Sequence, residues 1–144
     1  MDGDRYELGV KLRREIFGDS YVDQQMSAAD SHSRPWQDYV NEFVWGGIWG
    51  RPGLPRKTRS LLNLAMLAVL NMPHELKLHI RGALVNGVTK EEIVEVFLQA
   101  AMYGGAPKGV QAFSAMHEVF AAQAAGQQSK PARRKRPHSP KTRR

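Results

Sequence analysis

Glu75 and His79 are four residues apart in Glu75-Leu-Lys-Leu-His79, so on a helix they stack along one face. With Glu75 as origin and about 100° per residue, Asn86 falls near 20° and His79 near 40°. Met72, Leu76, Ile80, Ala83 and Leu84 fill the adjoining arc, whereas His74, Lys77 and Arg81 gather on the opposite side. A carboxylate and an imidazole are thus wedged against an apolar arc, away from the solvent-facing charges. Burying such groups costs several kcal/mol unless they are paired or used. The chemistry they offer is acid–base. Imidazole ordinarily titrates near neutral pH, and a carboxylate one turn away can set its tautomer or relay a proton. A buried structural pair or a subunit contact would satisfy the same spacing.

The elements that must position this pair read as helices throughout. Asp4–Phe17 carries apolar residues at 8, 12 and 16 and stops at Gly18. A short helix follows over Asp19–Ala29, capped by Asp19 or Ser20, and another starts at the N-cap Ser33 and runs to about Trp45. The glycines and prolines from Gly46 to Pro55 predict a loop. Arg56–Leu70 is almost wholly apolar after Ser60 and is expected at the buried centre. Pro73 opens the Glu75/His79 helix and Asn86-Gly87 ends it. Thr89 and Glu92 have the spacing of a capping box for a helix to about Tyr103, and a last helix spans about Lys108–Ala125. No period-2 strand stands out. The expected fold is all-α, with six to seven helices.

Composition bounds the function. With 144 residues and 42% hydrophobic content, the chain suits one modest core, expected over residues 1–126. The absence of cysteine excludes disulfides, thiolate metal sites and redox dithiols. The five histidines are scattered without metal-ligand spacing, and Ser60 lies in no Gly-x-Ser-x-Gly turn, so neither a metal centre nor a serine nucleophile is expected. The polar N-terminus does not read as a signal peptide, and the longest apolar stretch, Leu61–Met72, is too short to span a bilayer. A soluble cytoplasmic protein with no membrane partner is the expectation.

The net charge of +7 is unevenly placed. Eight of the 21 basic side chains fall in residues 130–144, so the remaining 13 face 14 acidic ones, a formal charge of −1. Residues 127–144 therefore read as a disordered Lys/Arg/Pro-rich tail capable of weak, non-specific polyanion contact. The rest of the chain offers no nucleic-acid-reading motif.

Several strings resemble the gamma-carboxymuconolactone decarboxylases. They are Trp45-Gly-Gly-Ile-Trp49-Gly-Arg51-Pro-Gly-Leu-Pro-Arg56-Lys-Thr-Arg59-Ser60, Glu75-Leu-Lys-Leu-His79, Asn86-Gly-Val-Thr-Lys-Glu-Glu-Ile93 and Tyr103-Gly-Gly-Ala-Pro107. The resemblance covers about residues 5–120. It implies the helical fold of the alkyl hydroperoxidase partner proteins and a homo-oligomer, a trimer or hexamer. Redox members of that fold carry a Cys-x-x-Cys before the histidine. If His79 matches that histidine, Met72 and Glu75 take the cysteine positions, which closes the peroxidase branch.

The reaction implied is cofactor-free decarboxylation of 4-carboxymuconolactone to the enol-lactone of 3-oxoadipate, in the protocatechuate branch of aromatic catabolism. The lactone is its own electron sink, because the pair left by carbon dioxide delocalises onto the lactone carbonyl. The protein must hold a small dianion, stabilise the developing oxyanion and see a proton delivered to carbon. His79 is the expected proton donor or carbonyl polariser, with Glu75 as its partner. Arg51 and Arg59 are expected to grip carboxylate, Trp45 and Trp49 to supply an apolar wall, and Tyr103 to offer a hydroxyl. The same fold acting on a different small lactone or carboxylic acid is the main alternative, and a polyanion binder acting through the tail is another.

Overall fold

A Gly-Pro-rich stretch divides the chain into two groups of helices, each built around its own apolar cluster. The computed structural model describes residues 3–128. In order these are α1 (Gly3–Phe17), α2 (Asp19–Ser27), α3 (Arg34–Tyr39), a π-wound segment (Val40–Trp49), α4 (Arg56–Val69), α5 (Pro73–Val85), α6 (Lys90–Gly104) and α7 (Ala106–Gln128). No strand occurs among the described residues, and no helix there is long and apolar enough to cross a membrane. The all-α expectation holds. The basic residues 130–144 lie outside the described residues, and α7 itself runs two residues beyond the boundary expected at 126.

The first group pairs α1 with the π-wound segment around Leu12, Ile16, Trp45 and Trp49. Gly46 and Gly47 were expected to open a loop, yet both lie inside this segment, and the chain leaves it only at Gly50. The physical reason is contact between backbones. A Cβ on Gly9 would stand 1.8 Å from the Asn41 carbonyl oxygen, and one on Gly46 would stand 2.0 Å from that of Arg5. Glycine here lets two helices touch main chain to main chain. Arg13 is buried in the same layer, donating from Nη1 to Gln37 Oε1 at 2.9 Å and to Asn41 Oδ1 at 3.0 Å.

The second group packs α4–α7 around Leu64, Leu76, Ile80, Ile93, Phe97 and Met116. The capping box expected from Thr89 and Glu92 forms, with Glu92 N–H donating to Thr89 Oγ1 and Thr89 N–H to Glu92 Oε2. Two expected caps differ. α2 has Gly18 at its N-cap and no side-chain cap, so neither Asp19 nor Ser20 fills that role. Ser33 does occupy the N-cap of α3, but its hydroxyl donates backwards to Asp30. α4 is also less enclosed than its composition implies. Leu64 and Ala68 are buried, while Leu62, Met66 and Leu70 are exposed by about half or more. An apolar helix buries only the faces its neighbours cover, and α4 has packed partners on some sides but not all.

Candidate functional site

The α4–α5 hairpin sets the register of everything polar in the second group. α4 ends with Asn71 in the left-handed region, φ 56°, a conformation asparagine tolerates better than most residues. Met72 N–H donates to the Leu67 carbonyl at 3.0 Å and Asn71 N–H to that of Ala68 at 3.1 Å, which closes a Schellman turn. α5 ends in the same way: Gly87 has φ 84°, Val88 N–H reaches Ala83, and Gly87 N–H reaches Leu84. Between these stops the helices run antiparallel, and two polar rungs cross the seam. Asn86 Nδ2 donates to Ser60 Oγ at 3.0 Å, and Asn63 Nδ2 lies 3.4 Å from His79 Nδ1.

An aromatic chain joins this seam to the first group. The Phe17 ring meets the His79 ring edge-to-face at 5.4 Å and 86°, and meets Trp45 at 5.1 Å and 83°. Trp45 in turn stacks on Trp49 at 5.1 Å. Gly82, one turn beyond His79, makes this possible, since a Cβ there would sit 2.8 Å from both Phe17 and Ile16 side chains. Trp45 and Trp49 are 4% and 6% exposed and so belong to the core; Phe17 is the aromatic ring packed perpendicular to the imidazole.

Burial pushes the His79 imidazolium down to about 4, against the opposing charge of the Glu75 carboxylate. The ring is therefore neutral at neutral pH, in contrast to the ordinary imidazole assumed from sequence. Glu75 is half-buried in the first turn of α5, where the helix dipole favours a carboxylate. It makes no hydrogen bond to His79 and acts on the ring through charge. The group at Nδ1 is Asn63.

Arg59 lies one helical turn before Asn63 on the same face of α4. Its Nη2 donates to the Arg51 carbonyl oxygen at 3.2 Å, and its Nε is buried without a hydrogen-bond partner. Arg51 thus supports Arg59 through its backbone, while its own side chain is exposed. Arg59 and Asn63 share one face of α4, Asn63 meets His79 across the seam, Glu75 acts on that ring by charge, and Phe17 packs against it. Tyr103 does not join them. It is 86% exposed and lines a groove of about 460 Å³ between α4 and α6, together with Leu61, Leu62 and Ala65. At 100° per residue, Leu61 and Ala65 stand roughly 160° from Asn63 around α4. Neither this groove nor the hollow of about 580 Å³ on the outer face of α1 is lined by His79 or Glu75.

Sequence reasoning passed over Asn63, Phe17 and the Ser60–Asn86 rung. Asn63 carried a signal, as a lone amide within an apolar helix. Phe17 carried none, since its contact with His79 is between residues 62 positions apart. Among the described residues no group of three His, Asp or Glu side chains is placed to hold a metal ion.

The chain matches the sequence profile of the Carboxymuconolactone decarboxylase family over residues 34–118. It is 38% identical over 119 residues to a 4-carboxymuconolactone decarboxylase of Acinetobacter baylyi, covering 83% of this chain and 89% of the relative. It is 43% identical over 107 residues to a nitrosuccinic acid decarboxylase of Metarhizium robertsii, covering 74% and 75%. An uncharacterized 15.0 kDa protein of Paracoccus denitrificans is 37% identical over 82 residues, covering 56% and 61%.

Proposed function

Because the chain belongs to the carboxymuconolactone decarboxylase family, we propose that it is a carboxy-lyase whose substrate is 4-carboxymuconolactone and whose product is the enol-lactone of 3-oxoadipate. The observation that carries this is the buried, unmet guanidinium N–H of Arg59, one helical turn before Asn63, which itself meets the neutral His79 ring. Arg59 takes one carboxylate of the dianion, because a guanidinium N–H without a partner is answered best by an anionic oxygen. The second carboxylate faces the Phe17 ring, where poor solvation favours its loss as neutral carbon dioxide.

The bond between ring carbon and carboxylate breaks, and its electron pair moves through the double bond onto the lactone carbonyl oxygen. An imidazole N–H of His79 stabilises that oxyanion. Carbon then takes up a proton and the lactone carbonyl re-forms, so each turnover consumes one proton and releases one carbon dioxide. His79 serves as carbonyl polariser in the free site's protonation state. Binding a dianion beside it raises its basicity in the sense in which Glu75 already acts, which lets it also carry the proton.

The nitrosuccinic acid relative favours a second substrate on the same chemistry. Nitrosuccinate is also a small dicarboxylate, and its nitro group accepts the electron pair as a nitronate. What the two named substrates share is a dianion with an internal electron sink. A homo-oligomer, trimeric or hexameric, completes the reading, with the exposed Leu62, Met66 and Leu70 face of α4 as its contact surface.

The test is carbon dioxide release and ultraviolet change on freshly prepared 4-carboxymuconolactone and on nitrosuccinate, using the full chain. Turnover of the lactone at enzyme-like rates supports the first reading, and turnover of nitrosuccinate alone moves the assignment to the second. A folded protein that releases carbon dioxide from neither refutes both.

A further inference from the structure

Asn63 is hard to explain as packing. It lies in the run Leu61-Leu62-Asn63-Leu64-Ala65-Met66-Leu67, half-buried, and its side chain meets one polar group, His79 Nδ1. An apolar residue of similar size would fill that volume without the cost of a desolvated amide. The orientation of the contact carries information. The amide places Nδ2 toward the imidazole, and an amide N–H can only donate. Nδ1 must then be the accepting nitrogen, and a neutral ring that accepts at Nδ1 carries its single proton on Nε2. At 3.4 Å the contact is long and adds little to stability. Its consequence is which nitrogen holds the proton, and contacts of this kind are commonly long before substrate binds.

We propose that Asn63 is a positioning residue: it holds His79 as the Nε2–H tautomer, so that this N–H is the one presented to the oxyanion of the substrate. Two further features fix the geometry. The perpendicular Phe17 ring sets the plane of the imidazole. The Ser60–Asn86 rung and the two Schellman ends stop α4 from sliding along α5, which would carry Asn63 out of reach. Glu75 leaves the tautomer open, because it makes no hydrogen bond to either ring nitrogen. The catalytic consequence rests on the decarboxylase reading; the tautomer itself does not.

The experiment is nitrogen-15 NMR of the histidine rings in the full chain at neutral pH, with His79 assigned by its loss in His79→Gln. It is run alongside kinetics on 4-carboxymuconolactone. In the native protein His79 is expected as Nε2–H. Asn63→Asp places a carboxylate that can only accept, so Nδ1 takes a proton. The nitrogen-15 shifts separate a neutral Nδ1–H ring, whose Nε2 is a lone pair, from an imidazolium that keeps both N–H groups. Kinetics are read at a pH where the neutral ring is the form observed. kcat then falls about 10²–10³-fold, the usual loss for one oxyanion donor, with a much smaller change in KM. Asn63→Ala, which retains helix propensity, is expected to give mixed tautomers and an intermediate kcat. A native ring protonated on Nδ1 overturns the proposal, as does an unchanged tautomer in both variants. Absent turnover with an Nε2–H ring that switches in Asn63→Asp leaves the positioning contact standing and refutes the substrate assignment alone.

Discussion

Acid should destabilise this protein through His79 by an amount the structure sets. An unfolded histidine takes up its proton near 6.5, whereas burial holds the folded ring neutral until about 4. Between those values the unfolded chain binds more protons than the folded one, so stability falls as pH falls through that window and levels off below it. The gap of about 2.5 units at 1.36 kcal/mol each amounts to about 3 kcal/mol, a large part of a typical domain's stability of ~5–15 kcal/mol. His79→Gln removes the titration while leaving a polar side chain in the seam. Urea unfolding of both proteins at fixed concentration and ionic strength, from pH 7.5 to 4, isolates the effect, because all other titrations are shared. The native protein should lose about 3 kcal/mol more than the variant over that range. Parallel curves, differing by less than about 0.5 kcal/mol in their change with pH, would refute a buried neutral His79. Above the window the free site's His79 is already neutral, so kcat/KM should show no His79 inflection near 6.5.

Arg59→Gln removes the charge and the unmet Nε–H donor, so kcat/KM on the lactone should fall by at least ~10-fold. Arg51→Ala keeps the backbone carbonyl that Arg59 uses and should cost far less; equal losses would sink the assignment of Arg59 as the carboxylate grip. Gly9→Ala puts a Cβ against the Asn41 carbonyl and should destabilise by about 3 kcal/mol or more in urea unfolding, with Gly3→Ala, where nothing lies within 4 Å, as the near-neutral control. Met66→Glu places a charge on the exposed apolar face of α4 and should shift sedimentation toward smaller species, and a native chain already monomeric at micromolar concentration would refute self-association there.

Helix order and most helix ends were legible from local chemistry. Pro73 at the start of α5, Gly87 after it, and the Thr89/Glu92 box act within a turn or two of themselves, so pattern finds them. The pairing of Glu75 with His79 on one face was legible for the same reason. Gly46 and Gly47 misled because glycine has two uses. Pattern reads it as a breaker, whereas Gly46 serves the close approach of α1 and leaves the helix unbroken.

The sequence by itself therefore determined an all-α chain, the placing of Glu75 and His79 on one face of a helix beside an apolar arc, and the resemblance to a family of decarboxylases. Tertiary structure alone decided that His79 is neutral, since burial depends on what packs over it. It also decided that Asn63 and not Glu75 meets Nδ1, that Phe17 reaches the ring through the gap at Gly82, and that Tyr103 faces another side of α4. Each of these is a contact between separate helices. A side chain's period along its own helix says which way it points, and only the packing of two helices says what it meets.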